Sequence, residues 1–154
     1  MAKKTNESSM SFDIEKFEKA WIEEKIEKDM VIFTDNLGKY LCDLPRGGSR
    51  PGYNAMTTTQ LRNIFGEVKR IQRAGILSNQ SSFILLKPKL AYAEAREKDK
   101  KRDSRISTFR QVIEKAHDAV KLGQGSKTEA SFQRFVDFLE AILAYHKAYG
   151  GKDK

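Results

Sequence analysis

One cysteine, two histidines and three prolines are all that 154 residues hold of those types, and each scarcity removes a class of function. Cys42 alone can build neither an intramolecular disulfide framework nor a cysteine-cluster zinc site, and it suits a reducing compartment. Two histidines cannot furnish a multi-histidine metal centre. No apolar run approaches the roughly 18 residues of a membrane span, and the opening MAKKTNESSM lacks the apolar stretch of a signal peptide. No long segment alternates polar and apolar residues with period two, and the run FILL at 83–86 is too short for a sheet. These absences describe a soluble, cytoplasmic chain with no cofactor and no membrane partner.

What is present is charge and aromatic bulk. Nine Phe, five Tyr and one Trp can fill a core although the hydrophobic fraction is only 39%. Charged residues make up 32% and the formal net charge is +8. Residues 1–44 carry 7 basic and 10 acidic side chains, residues 45–105 carry 14 and 5, and residues 106–154 carry 8 and 6. The basic excess therefore lies in the middle third. A localised excess of this kind is the electrostatic footprint of a polyanion partner, because each cation beside a phosphate releases condensed counterions.

Helical spacing dominates, and the chain reads as one domain, an all-α bundle of five or six helices over 11–149, with tails at 1–10 (disordered) and 150–154. Ser11 can cap a helix over 12–28 with Ile14, Phe17 and Trp21 on one face, and a second helix is expected near 31–44. The segment PRGGSRPGYNA at 45–55 opens a flexible basic loop over 45–56 bearing Arg46, Arg50 and Tyr53. It either orders on nucleic acid or serves as a connector. Thr57 and Gln60 have capping-box spacing and open a helix that stops at Gly75. Ser81 or Ser82 opens the next, through about residue 101, with Pro88 either kinking it or sitting in its first turn. A helix from Ser104 or Ser107 runs to Gly123. Ser126 and Glu129 repeat the capping-box spacing before the strongest helix, to about residue 149. That helix bears the stripe Phe132, Phe135, Leu139, Ile142, His146 and Tyr149. A second stripe, Phe138, Ala141 and Tyr145, lies beside it, and either this stripe or the Trp21 face is expected to meet a partner.

Two constellations suit RNA. Arg62, Gly66, Lys69 and Arg73 fall at i, i+4, i+7 and i+11 opposite the apolar stripe Leu61, Ile64, Phe65, Val68 and Ile71, with Arg70 beside them. A glycine inside a helix costs about 1 kcal/mol against alanine, so Gly66 admits either a ligand backbone or a closely packed helix. Lys89, Tyr92 and Arg96, with Lys87 near, combine cations with an aromatic on which a base can stack; the other reading is a buried tyrosine flanked by snorkelling side chains. Catalytic signals are poor. GQGSKT at 123–128 lacks the Gly-Lys-Thr of a phosphate loop and follows a helix. Cys42 reads as a small buried residue and His146 as a hydrogen-bonded core histidine. Arg110 followed by six residues and His117 resembles the motif of small helical HEPN RNases, with Gln111 where that motif has its characteristic polar residue.

Three segments in order, TTTQLRNIFGEVKRIQ, LLKPKLAYAEAR and FQRFVDFLEAILAYHKAYGG, resemble the small subunit of type III-A CRISPR–Cas effector complexes. The resemblance covers residues 57–98 and 105–151. It implies an all-helical, non-catalytic subunit, present in several copies, that lines the guide RNA–target RNA duplex and braces the filament in antiviral defence. It implies guide RNA, target RNA, other effector subunits and further copies of itself as partners. Arg62, Lys87, Tyr92, Arg96, Arg134 and Lys147 stand at basic or aromatic positions of the matching segments. Two other readings stay open: a HEPN-like RNase using Arg110 and His117, and a helical protein–protein adaptor.

Overall fold

Helix α7 (Ser126–Ala148) carries apolar residues on more than one side. Phe132, Phe135, Leu139 and Ile142 mark one stripe and Phe138 another, and all five are buried. A helix apolar on several sides must be covered on several sides, and α7 is. In the computed structural model, which describes residues 12–44, 51–98 and 105–151, it is packed by α1 (Ala20–Glu23), α2 (Lys28–Leu41), α3 (Thr58–Ala74) and α6 (Ile106–Asp118). α5 (Leu86–Lys98) pairs with α6, and the short α4 (Gln80–Ile84) links α3 to α5. Five helices of 13 residues or more and no strand occur among the described residues, which is the all-α bundle expected. The expected tail at 1–10 and residues 152–154 lie outside them.

The second stripe of α7 is not left open. Phe138 is fully buried, its ring 5.5 Å from Phe17 and 6.1 Å from Phe33, and Ala141 and Tyr145 are half-buried. Trp21, 1% exposed, is buried as well. Phe138 and Trp21 are thus covered within the chain, because α1 and α2 lie on α7, while Ala141 and Tyr145 keep part of their surface exposed.

The single helix expected over 12–28 is also broken. A 3-10 turn (Ile14–Lys16), capped by Asp13 accepting from the Glu15 amide at 3.0 Å, precedes the one-turn α1, and the chain becomes helical again only at Lys28. Arg134 on α7 supplies the reason. Its guanidinium donates to the Ile22 carbonyl at 2.7 Å and the Glu23 carbonyl at 2.9 Å. Those two acceptors would serve residues 26 and 27 in a continuing helix. With a charged donor on each, α1 ends.

Other boundaries follow local chemistry. Thr57 accepts from the Gln60 amide at 3.1 Å and its own amide donates to the Gln60 side chain at 2.7 Å, the capping box expected. The second box does not form. Gly125, at φ +56, occupies the cap of α7, and Thr128 accepts from the Gln124 amide and donates to the Lys121 carbonyl. Pro88 takes its first-turn option as the third residue of α5. α6 is capped by Arg105 rather than a serine and ends at Asp118, short of Gly123. Residues 51–56 of the expected flexible loop are tied down: Gly52 donates to the Cys42 and Asp43 carbonyls, and Met56 to Leu41 at 2.8 Å. Arg46 and Arg50 fall outside the described residues. Arg105 completes this corner, donating to Asp43 at 2.6 Å and the Tyr40 hydroxyl at 2.9 Å.

α2 and α7 touch where Gly38 faces Tyr145 and His146. A Cβ at Gly38 would lie 2.6 Å from the Tyr145 Cβ and 2.8 Å from the His146 backbone nitrogen. Gly66 in α3 has nothing among the described residues within 4 Å of the same virtual atom. Two mid-helix glycines therefore predict opposite outcomes in urea unfolding. Gly38→Ala destabilises by about 1–3 kcal/mol, since backbone cannot give way as a side chain tip can. Gly66→Ala gains about 0.5–1 kcal/mol of helix propensity.

Candidate nucleic-acid interface

α3 owes its orientation to Leu61, Ile64, Val68 and Ile71, all buried. On its other side Arg62, Gly66, Arg70 and Arg73 are exposed and Lys69 is half-buried, its ammonium 5.8 Å from the centre of the Phe65 ring. The open space around Gly66 disposes of close packing by any helix among the described residues as the reason for that glycine. Among the described residues neither Arg62 nor Arg73 has a carboxylate partner.

α5 turns Leu86, Leu90 and Glu94 inward, spaced four residues apart, and Lys89, Tyr92 and Arg96 outward. Tyr92 is 66% exposed, so the buried-tyrosine reading does not hold; Arg96 lies over its ring at 5.7 Å. One carboxylate joins the two helices. Glu67 accepts from Arg70 on its own helix and from Lys89 at 2.9 Å on α5. These hydrogen bonds, first Arg70's and then Lys89's, hold its pKa down to about 2. Glu67 was not among the residues expected at the site; its spacing of three from Arg70 was the available signal. The structure thus sets Arg62, Lys69, Arg70 and Arg73 along α3 and ties Lys89 of α5 to Arg70 through Glu67, with Tyr92 and Arg96 along the same helix as Lys89.

The remaining site residues lie elsewhere. Lys87 pairs with Asp118 on α6. Arg134 donates to the end of α1, as described, and so has an intramolecular role. Lys147 is exposed in the last turn of α7.

Arg110 and His117 share α6 but not a reactive arrangement. Arg110 donates to Glu114 and to Glu94, both at 2.8 Å, and these bonds raise its pKa further. His117 is 6% exposed, stacked on Phe83 at 4.0 Å, with Nε2 2.6 Å from the Phe83 carbonyl. An acid–base histidine needs reach to a substrate proton, and this ring is turned into the core. No group of three or more metal-ligating side chains occurs among the described residues, and no helix there is long and apolar enough to cross a membrane.

The family model described as Csm2 Type III-A matches residues 46–152. The chain belongs to the Csm2 Type III-A family. It is therefore a small subunit of a type III-A CRISPR effector complex. Comparison with curated proteins and with solved structures finds no match. The basic face of α3 and α5 lies wholly inside the Csm2 match, whereas α1 and α2 lie outside it.

The two histidines make the Csm2 bundle sensitive to acid. His146 is fully buried, as expected of a core histidine, with Nε2 2.6 Å from the Met56 carbonyl. Burial lowers the pKa of both His117 and His146 from 6.5, outweighing the bonded carbonyls. In the unfolded chain both take up protons near pH 6.5, so there the unfolded state binds more protons than the folded one. Stability is complete above that pH and falls as the pH drops below it, by at most about 1.4 kcal/mol per unit for each ring. Urea midpoints at pH 7.5 and 5.5 measure the loss, which the double variant His117→Gln, His146→Gln should flatten. Glu67, its pKa depressed from the ordinary 4.5, stabilises fully above about that pH and loses its contribution only below it, outside this window.

Proposed function

We propose that this Csm2 subunit holds RNA backbone along the basic face of α3 and α5, as a non-catalytic part of its effector complex. The observation that carries the reading is the open gap at Gly66 between Arg62, Lys69 and Arg73, where cations flank a stretch of helix with no side chain of the described residues in the way. Exposed Tyr92 beside Arg96 adds a surface on which a base can stack. Sequence reading belongs to pairing between guide and target, so the subunit needs only shape and backbone recognition. On this reading the subunit works in the cytoplasm, lines the guide RNA–target RNA duplex, meets further copies of itself, and braces the assembly against foreign transcripts.

Replacing Arg62, Lys69 and Arg73 together by alanine should weaken RNA binding whatever the sequence. The slope of log K against log salt should flatten by about 0.7 for each single-strand phosphate that the variant no longer neutralises. Stability should change by no more than about 0.5 kcal/mol per site, as for other surface positions. Lys16, Lys19 and Lys25, exposed near the N-terminus, form the matched control and should leave affinity and slope nearly unchanged. Equal effects from both triples reduce binding to net charge.

The same reading predicts that the purified subunit leaves labelled RNA intact with or without divalent metal. Cleavage that disappears in His117→Ala overturns it in favour of the nuclease.

A further inference from the structure

The acidic N-terminal third builds a groove that the RNA-binding reading does not use. It lies between the segment around Phe12 and the exposed side of α2, and encloses about 750 Å³. Phe12, Trp21, Phe33 and Tyr40 form its walls and Ile32, 58% exposed, its lip. Asp13, Glu15, Glu18 and Asp29 stand around it against Lys16 and Lys39. None of these residues falls within the 46–152 match to Csm2.

We infer that this groove is a docking site for an extended cationic peptide segment of a partner protein. Four carboxylates against two ammonium groups repel RNA and attract lysine or arginine. The partly exposed rings of Phe12 and Tyr40, with Ile32, receive the aliphatic stems of such side chains and the cation itself. The molecule already shows this chemistry, for Arg105 stacks 4.2 Å from the centre of the Tyr40 ring. A second observation is independent of charge. The indole N–H of Trp21 is buried with no acceptor among the described residues. A buried donor left unpaired costs about 1–3 kcal/mol. A peptide supplies backbone carbonyls, the acceptor this N–H lacks, as well as cations.

Trp21 is the only tryptophan in the chain, so its fluorescence reports the groove directly. The full-length protein is titrated at 0.15 M salt with a nine-residue peptide of alternating lysine and leucine. The expected result is a saturable change in tryptophan emission that an equal-length glutamate–leucine peptide does not produce. In the double variant Glu18→Lys, Asp29→Lys, both sites being exposed, affinity should fall at least tenfold. Circular dichroism should show the same helix content and melting curve as wild type, and RNA binding should not weaken. A flat emission signal, or an unchanged affinity in the charge-reversed protein, overturns the proposal. So does peptide binding that emerges only when Lys3 and Lys4 are replaced by glutamate, since the chain's own N-terminus is then the occupant. Self-association in sedimentation that the charge reversal abolishes also overturns it, in favour of a second copy.

Discussion

The bundle depends on how closely α2 can approach α7. Gly38 permits backbone-to-backbone contact at Tyr145 and His146, and the end of α2 and two other segments converge on the same turn. The His146 ring takes the Met56 carbonyl, while its own carbonyl accepts the Cys42 thiol at 3.3 Å and the Gly151 amide at 2.9 Å. The end of α2, the chain before α3 and the residues after α7 are thereby fixed by one residue. Directional bonds in a water-poor interior are costly to leave unmade, so displacing His146 disturbs all three segments. The orientation of α3, and with it the basic face, follows from that anchoring, because residue 56 lies just before its capping box.

The distribution of charge is less simple than the sums over the sequence imply. Several cations of the basic middle and C-terminal thirds are used inside the chain. Arg105 holds Asp43, Arg110 holds Glu94 and Glu114, and Arg134 ends α1. Each replaces water around a guanidinium with fixed acceptors, which is what a partly buried arginine requires. Among the described residues Arg62 and Arg73 carry no such obligation. The surface that can meet a polyanion is thus a selection from the basic residues. Glu67 marks its inner edge by neutralising part of Arg70 and Lys89.

Much of this was legible in the sequence wherever the cause is local. The Thr57 box, the stop at Gly75 and the opposition of Arg62 to Leu61 and Ile64 are set within a few residues, and the structure has them where spacing places them. The early break of the first helix was not legible, because its cause sits on α7 more than a hundred residues away. The burial of Phe138 was missed for a related reason. Periodicity marks a second apolar stripe but cannot say that α2, with a glycine in its face, comes close enough to cover it. Spacing marked the α3 ridge, whereas the family resemblance pointed to Arg134 and a short motif to His117. Only burial and bonded partners separate them.

Cys42 carries one more consequence. Its thiol is buried, bonded to the carbonyl of His146, and desolvation raises its pKa to about 11. The reactive species is the thiolate, so near neutral pH this sulfur is inert while α2 rests on α7. Alkylation must wait for the two helices to part. With one thiol in the chain, its rate of modification becomes a clock for that opening, readable in the isolated subunit and again within the assembled complex.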